Sequence, residues 1–249
     1  MPRLGQRLFG DQFKSFLDKM GYQLIRKNLE EAAPFEDMQH FLPASASPVI
    51  FDVGANFGQT VERILSHYPH AVVHAFEPSP ASFQTLASNC ANRPSVKAWN
   101  LGVGASESLL TFNENEHSQL SSFLEPLNVC GGETKRKTEV AVTSLDAFCD
   151  KQSIDKIDIL KLDTQGFELP IFQGAERLMR EHRIGFIFFE LIVSEHYSGL
   201  PPYWELLRFL DERGYKMASF YPPHFHEHLV SWTNFLYLDP LALAGVHSG

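Results

Sequence analysis

A turn that contains two glycines is the segment of this 249-residue chain whose residue types first suggest chemistry. It spans Ile50–Thr60, with the sequence Ile-Phe-Asp-Val-Gly-Ala-Asn-Phe-Gly-Gln-Thr, and lies between an apolar β-type run and a helical pattern. Gly54 and Gly58 permit backbone torsions and close approaches that a Cβ atom would block. At the carboxyl end of a strand, such a turn lets a ligand lie against bare main chain.

An acid, Glu77, follows the turn by roughly 20 residues, at the end of the next apolar run. A carboxylate there can accept hydrogen bonds from both ribose hydroxyls of an adenosine-containing ligand. Asn56 stands at the middle position of G-x-G-x-x-G, which weakens a dinucleotide interpretation. Asp52 also fits poorly beside a pyrophosphate and suits a positively charged ligand, such as the amino group or sulfonium of S-adenosylmethionine. The pair predicts an adenosine-containing cofactor, although a structural turn with a surface acid is the alternative.

Short apolar runs that alternate with helical patterns must position these residues. This alternation predicts a Rossmann-like α/β fold, with a mostly parallel sheet covered by helices on both faces. Residues 106–145 interrupt it and predict an antiparallel excursion or a mobile loop region. The strands are predicted at Val49–Val53, Val72–Phe76, Val96–Leu101, Leu109–Phe112, Glu139–Val142, Ile157–Leu162 and Phe186–Val193, followed by a hairpin of Tyr215–Tyr221 and Asn234–Leu238.

Residues 1–47 differ in character and are predicted as an N-terminal helical extension, with one α/β domain over 48–249. An apolar stripe at helical spacing favours a helix that packs on the main domain. A substrate lid or a dimer element is the alternative, so a homodimer through these helices stays open. The stripe consists of Phe9, Phe13, Phe16, Leu17 and Met20.

Five short segments share the pattern of one known family: Asp-Val-Gly-Ala-Asn-Phe-Gly at 52–58, Phe-Glu-Pro at 76–78, Asn-Leu-Gly-Val-Gly at 100–104, Thr-Ser-Leu-Asp at 143–146 and Leu-Lys-Leu-Asp-Thr-Gln-Gly-Phe-Glu at 160–168. With these motifs the chain resembles the FkbM family of methyltransferases over roughly residues 48–220. The resemblance implies the class I methyltransferase fold, with a seven-stranded sheet that ends in an antiparallel hairpin. It also implies S-adenosylmethionine as methyl donor and O-methylation of a hydroxyl on a sugar or natural-product small molecule.

The resemblance further implies roles for individual residues. Asn100–Gly102 would border the adenine, and Asp163 would lie beside the methionine end of the cofactor. The chain departs from the family pattern at Gln165, where the family usually has Glu in D-x-E-G, so one carboxylate near the reaction centre is missing. The residues predicted to bind the cofactor are Asp52, Gly54, Asn56, Gly58, Thr60, Glu77, Pro78, Asn100, Gly102 and Asp163.

Four ionisable residues near the ends of later strands are the predicted catalytic groups: Asp163, Glu168, Glu190 and His196. An alcohol is a weak nucleophile when protonated, so O-methylation benefits from a base or a metal. His196 has the natural pKa of a general base, with a plain loop or substrate contact as the alternative. Glu190 could instead be a strand-end carboxylate bonded to backbone or to Lys161, which we interpret as an ion-pair partner.

A metal site is a weaker hypothesis, and we predict no bound metal. The four catalytic candidates could converge as oxygen and nitrogen ligands, but sequence spacing cannot show convergence. His224, His226 and His228 alternate, so a strand would place them on one face. The preceding Pro222 and Pro223 favour a loop there. This loop would either lie at the entrance of the substrate-binding site or have no role in function.

The resemblance implies a small-molecule or carbohydrate acceptor, and the composition disfavours other partners. The formal net charge is −9, and the densest basic cluster is only Lys135–Lys137, which makes nucleic acid a poor candidate partner. No apolar run approaches the roughly 20 residues of a membrane span, and the N-terminus lacks a signal-peptide core. We therefore expect no membrane partner and a cytoplasmic location. Cys90, Cys130 and Cys149 show no metal-ligand spacing and are expected to be reduced thiols.

Two other classes of function share part of the pattern. An NAD-type oxidoreductase would share the fold and Glu77 but lacks the glycine pattern. A catalytically inert domain that binds the cofactor or a protein partner is left open by Gln165. Methylation of a protein or peptide nitrogen is a further alternative, because an acidic chain would tolerate a basic substrate.

Overall fold

The computed structural model describes residues 29–127 and 131–244, with side chains described from residue 34 onward. The chain divides into two units, residues 1–33 and 34–249, and the elements discussed below belong to the second unit except for the start of the first helix. The predicted apolar stripe between Phe9 and Met20 lies outside the described residues, as does Cys130. The helical extension and a dimer through it therefore stay predictions.

A mixed sheet carries the candidate residues. Its strand order is β11-β13-β9-β8-β1-β2-β3, with β12 paired to β13, and neighbouring strands from β3 to β9 are parallel. β13 inserts antiparallel between β9 and β11, which confirms the predicted terminal hairpin. The strands of this sheet are β1 Val49–Val53, β2 Val72–Phe76, β3 Val96–Trp99, β8 Ile157–Leu162, β9 Ile184–Ile192, β11 Lys216–Phe220, β12 His224–His226 and β13 Leu229–Leu238.

Helices connect the parallel strands and supply the apolar faces that cover the sheet. Ser79 caps the helix that begins at Pro80, because its Oγ accepts a hydrogen bond from the Ser82 backbone N–H. Gly214, at φ +85°, follows the end of the helix that precedes β11. The helices are α1 Leu29–Met38, α2 Gln59–His67, α3 Pro80–Cys90, α4 Leu145–Gln152, α5 Glu168–Gln173, α6 Glu176–Arg180, α7 Tyr203–Glu212 and α8 Pro240–Leu243.

The interruption at residues 106–145 is a small separate sheet, which confirms the antiparallel excursion. Two long strands, Ser108–Asn115 and Thr134–Thr143, pair antiparallel, and the two-residue strand Gly102–Val103 pairs in parallel with the second of them. A further two-stranded ribbon pairs Glu125–Pro126, in the loop between the two long strands, with Tyr197–Ser198, which follow β9. These elements are β4 Gly102–Val103, β5 Ser108–Asn115, β6 Glu125–Pro126, β7 Thr134–Thr143 and β10 Tyr197–Ser198, with a 3₁₀ turn at Ser118–Leu120.

The core lies between the sheet and its helices. β9 is buried along nearly its whole length, as a strand covered on both faces must be. Residues that follow the first turn of α1 also pack on this unit, because Phe35 and Met38 are fully buried and Tyr221 donates a hydrogen bond to Asp37. Among the helices in the described part of the chain, none has the length and hydropathy needed to cross a membrane.

Candidate functional site

The glycine turn joins β1 to α2 at the carboxyl edge of the sheet. Gly54, Asn56 and Gly58 all have positive φ angles, of 77°, 48° and 91°. A Cβ atom on Gly54 would overlap the backbone carbonyl oxygen of Asp163, so only glycine lets β1 and β8 end this close together. The close packing of β1 against β8 therefore requires glycine at position 54.

Glu77 lies against this turn. Its Oε2 accepts a hydrogen bond from the Asn56 backbone N–H at 2.9 Å, and its Oε1 accepts one from the Ser79 N–H at 2.9 Å. The side chain is 5% exposed, and burial raises its pKa to about 7 against the lowering effect of the two backbone hydrogen bonds. Each carboxylate oxygen has a second lone pair, so the carboxyl group can still accept hydrogen bonds from a diol.

Asn100 supports the loop after Glu77. Its Nδ2 donates to the backbone carbonyls of Glu77 and Pro78, at 2.9 and 3.0 Å. Gly102 is buried in the small sheet, where a Cβ atom would overlap the Phe123 ring. Of this group, Asn100 contacts the backbone of Glu77 and Pro78, whereas Gly102 is packed against protein.

Asp52 does not point into open space. It is fully buried at the end of β1, and its Oδ1 lies 2.9 Å from Nζ of Lys161, its direct neighbour across β8. The two opposite charges compensate each other inside the protein. The charge of Asp52 is thus balanced by an internal partner, and its contact with a cationic ligand stays a prediction.

Asp163 and Glu190 come together at the ends of β8 and β9, as the parallel order predicts. One amide nitrogen, Nε2 of Gln165, lies 3.0 Å from Asp163 Oδ1 and 2.8 Å from Glu190 Oε1. The Asp163 side chain is 44% exposed, and its Oδ2 lies 3.8 Å from Lys161 Nζ. Burial raises the pKa of Glu190 well above its usual range, and the charges of Asp163 and Glu168 raise it further.

Glu168 has a structural position at the start of α5. It is 1% exposed, and its Oε1 accepts hydrogen bonds from the Thr164 N–H, the Thr164 hydroxyl and the Gly166 N–H. Burial raises its pKa to about 7. Its carboxyl group therefore holds the loop after β8, and its catalytic role stays a prediction.

The His196 ring contacts Ser231. Its Nε2 is 2.8 Å from the Ser231 hydroxyl, and burial lowers its pKa, with a smaller effect from the charge of His226. The adjacent residue, Tyr197, points to Gln165 instead. The structure thus does not bring His196 into hydrogen-bond contact with Asp163 or Glu190.

The three alternating histidines do not form a cluster on one strand. His224 and His226 lie in β12, which corrects the preference for a loop there, and His228 lies in the turn that follows, at φ 70°. His224 stacks on Trp232 with ring centroids 3.5 Å apart. Within residues 29–127 and 131–244, no group of three or more His, Cys, Asp or Glu residues is arranged to hold a metal ion.

Sequence reasoning missed Gln165, Tyr197 and Ser122 as parts of the site. Gln165 was noted only as a departure from a family pattern. Tyr197 donates to Gln165 Oε1 at 3.0 Å, and Ser122 Oγ donates to the Gln165 carbonyl at 2.8 Å. The signal in the sequence is a polar residue two positions after the strand-end acid Asp163.

A cavity of about 530 Å³ lies next to the turn and the Glu77 loop. None of the described residues that line it is among the ten predicted to bind the cofactor. Its wall carries one phenyl ring, one imidazole and many hydroxyl, amide and charged groups, so it suits a hydroxylated ligand better than an apolar one. Lining residues include Phe57, Ser79, Ser82, Asn115, Gln119 and Lys135.

Comparison with known proteins agrees with this geometry. The family model described as "Methyltransferase FkbM domain" matches residues 52–217, which contain the turn, Glu77 and the Asp163–Glu190 pair. A solved structure of an rRNA methylase from Streptococcus thermophilus shares the fold, with a TM-score of 0.50 and 9% identity over 87% of this chain and 98% of the other. At that identity the likeness concerns the fold alone.

Several curated proteins are similar over part of their length. The 2-O-methyltransferase NoeI of Sinorhizobium fredii is 24% identical over 66% of this chain and 71% of the relative. The 31-O-demethyl-FK506 methyltransferase FkbM of Streptomyces tacrolimicus is 24% identical over 56% and 64%. The hexuronic acid methyltransferase AglP of Haloferax volcanii is 28% identical over 59% and 57%. The chain therefore spans between about half and three quarters of these relatives.

Proposed function

We propose that this chain, which belongs to the FkbM family of S-adenosylmethionine-dependent methyltransferases, methylates a hydroxyl oxygen of a sugar or natural-product small molecule. The observation that carries the proposal is the pair of carboxyl groups, Asp163 and Glu190, on one amide nitrogen at the same sheet edge as the glycine turn. Methylation of a hydroxyl oxygen releases a proton, and a carboxylate next to the crevice can accept it.

The residues of the turn fit S-adenosylmethionine. Glu77 is fixed by the Asn56 and Ser79 backbone N–H groups and keeps lone pairs for the two ribose hydroxyls. Gly54 and Gly58 permit the positive φ angles of the turn, and Asn100 holds the Glu77 and Pro78 carbonyls in place. When bound, the cofactor supplies a methyl group on a positively charged sulfur.

We assign the remaining predicted cofactor residues by their surroundings. Asp163, whose side chain is half exposed, is the carboxylate available to the methionine end. Asp52 acts indirectly, by holding Lys161 beside Asp163. Thr60, half-buried at the start of α2, and Gly102, buried in the small sheet, shape the surrounding backbone.

The proton acceptor we propose is the Asp163–Glu190 pair. As the new carbon–oxygen bond forms, the carbon–sulfur bond breaks, the electron pair stays on sulfur and the hydroxyl proton passes to a carboxylate. Burial raises the pKa of Glu190 toward the operating pH, where a carboxylate is a stronger base. His196, which is bonded to Ser231, is assigned a structural or acceptor-contact role.

The acceptor class follows from three observations of different kinds. The relatives named above include an enzyme named for a 2-O position, one named for a 31-O position of a natural product and one named for a hexuronic acid. The cavity beside the turn is polar and has an aromatic ring, Phe57, on which a sugar face can pack. The net charge of −9 disfavours a polyanionic acceptor such as nucleic acid.

Two measurements test the proposal. Thermal melts with S-adenosylmethionine, S-adenosylhomocysteine, NAD and NADP report which cofactor binds the native state, because only a bound ligand raises the melting temperature. Transfer of a labelled methyl group to a panel of glycosides, uronic acids, macrolides and basic peptides then reports the acceptor. Mass spectrometry that locates the label on oxygen supports the proposal, whereas label only on peptide nitrogen would replace it with N-methylation.

A further inference from the structure

The Gln165 side chain forms hydrogen bonds with three other side chains. Its amide Nε2 donates one N–H to Asp163 Oδ1 and the other to Glu190 Oε1, and its Oε1 accepts from the Tyr197 hydroxyl. A primary amide has two N–H donors, so both are used by the two carboxyl groups. The side chain is 8% exposed, and its contacts are therefore little weakened by competition from water.

Tyr197 fixes which end of the amide meets the carboxyl groups. Its fully packed ring is 2% exposed, and its hydroxyl shares one proton between Gln165 Oε1 and the Leu120 carbonyl. If the amide were reversed, its carbonyl oxygen would lie against Asp163 and Glu190, three acceptors without a donor between them. The hydroxyl thus favours the single orientation in which the nitrogen bridges the pair.

The backbone of Gln165 adopts a conformation that costs energy for a residue with a side chain. Its φ is 53°, in the left-handed region, where glycine is favoured. The Ser122 hydroxyl donates to its carbonyl at 2.8 Å and holds it there. A non-glycine residue kept in this conformation at a candidate site indicates that the side chain has a function.

The charges around the bridge explain what that function is. Glu190 is faced by Asp163 and Glu168, which raise its pKa, and by Lys161 and the Gln165 amide, which lower it. The amide is the group in direct hydrogen-bond contact with both carboxyl groups, so its removal would separate them or leave them to repel each other.

We propose that Gln165 is a positioning residue for methyl transfer, which clamps Asp163 and Glu190 on one amide nitrogen in an orientation set by Tyr197. The expected effect of this clamp on the rate of methyl transfer rests on the proposed function. The clamp itself can be measured without any acceptor, so the two can fail separately.

The experiment compares wild type with Gln165→Leu, Gln165→Glu and Tyr197→Phe, and with Gln173→Leu as a control on an exposed face of α5. Glutamate labelled with ¹³C at the carboxyl carbon reports the titration of Glu190 by NMR, with the signal assigned by its loss in Glu190→Gln. We expect the titration midpoint to rise by about one pH unit in Gln165→Leu, because a hydrogen bond to the ionised form is lost. Gln165→Glu should raise it more, since a third carboxyl group joins the pair, and Tyr197→Phe should raise it less.

Methyl transfer to an acceptor identified by the labelling screen provides the second reading. We expect kcat of Gln165→Leu to fall at least about tenfold, with its pH profile moved to higher pH, while the Kd for S-adenosylhomocysteine changes less than about twofold. Tyr197→Phe keeps the buried ring and tests the same clamp if Gln165→Leu does not fold.

An unchanged Glu190 titration in folded Gln165→Leu, or in Tyr197→Phe where Gln165→Leu does not fold, would overturn the proposal. An equal change in the Gln173→Leu control would also overturn it, because the effect would not belong to the clamp. A moved titration together with no methyl transfer by wild type on any hydroxylated acceptor would support the clamp and count against the proposed function instead.

Discussion

The Glu77 carboxylate accepts a hydrogen bond from the Asn56 backbone N–H over 2.9 Å, and this contact ties the end of β2 to the glycine turn after β1. The turn and the acid were recognised separately in the sequence, about 20 residues apart. In the structure they form one unit, in which backbone donors orient the carboxyl group. Removal of that group therefore affects both the ligand contact and the turn.

Glu77→Ala should weaken binding of S-adenosylhomocysteine by at least about tenfold. It removes the ribose acceptor and leaves the Asn56 and Ser79 N–H groups without their partner, each at a cost of about 1–3 kcal/mol where buried. Isothermal titration calorimetry measures the Kd. Glu62→Ala, an acid on the exposed side of α2, is the control and should bind as wild type does. Equal affinity of the Glu77 and Glu62 variants for S-adenosylhomocysteine would show that Glu77 does not contribute to cofactor binding.

Gly54→Ala should destabilise the protein far more than Gly199→Ala. The two glycines share a φ of 77°, so both substitutions carry the same backbone strain, about 1–2 kcal/mol. A Cβ atom on Gly54 would also overlap the Asp163 carbonyl, whereas one on Gly199 would meet nothing within 4 Å. Urea unfolding gives both free energies. Similar losses at the two positions would mean that the β1–β8 approach is not what requires Gly54.

The parallel order of strands was predictable, and it places Asp163 and Glu190 at the same edge of the sheet, but their contact through one amide nitrogen was not predictable. Register was not predictable from sequence. The direct pairing of Asp52 with Lys161 follows from it and left Asp52 no free charge. The Gln165 network was also beyond sequence reasoning, since Tyr197 and Ser122 reach it from segments 32 and 43 residues away. Long-range contacts between loops leave no periodic pattern.

Glu77 and Glu168 should each make the ligand-free protein less stable as pH rises through neutrality, against the opposite contribution of the buried His74, whose pKa burial lowers to about 4. Burial raises the pKa of both Glu77 and Glu168 from 4.5 to about 7. A carboxyl group with a raised pKa in the folded state contributes stability that is present below pH about 4.5 and lost as pH rises through about 7. At about 1.4 kcal/mol per pKa unit, each group accounts for about 3 kcal/mol.

Glu168→Gln should flatten this pH dependence. The amide stays neutral, and its oxygen can still accept from Thr164 and Gly166. Unfolding free energies between pH 5 and 8, obtained with urea, measure the slope. Glu107→Gln, an exposed carboxyl in the turn before β5, serves as control. The same pH dependence in Glu168→Gln as in wild type would contradict the burial argument for Glu168.

Lys161→Met should cost about 3–5 kcal/mol of stability, because it leaves the buried Asp52 carboxylate without its partner at 2.9 Å. The double variant Asp52→Leu/Lys161→Met should be less destabilised than the sum of the two single variants, since neither charge is then left alone. A double-mutant cycle in urea measures the coupling. Strict additivity would show that the two side chains do not depend on each other.

The choice between Glu190 and His196 as proton acceptor gives opposite expectations for two variants. Glu190→Gln keeps the size of the side chain and its contact with Gln165 but cannot take a proton, so kcat should fall at least about a hundredfold. His196→Ala should keep kcat within about threefold, because its Nε2 is bonded to Ser231 and burial lowers its pKa. The pH profile of wild type should rise through the raised pKa of Glu190 and keep its shape in His196→Ala. If His196→Ala loses the rate and the rising limb while Glu190→Gln retains both, the histidine is the base and the carboxyl pair only organises the site.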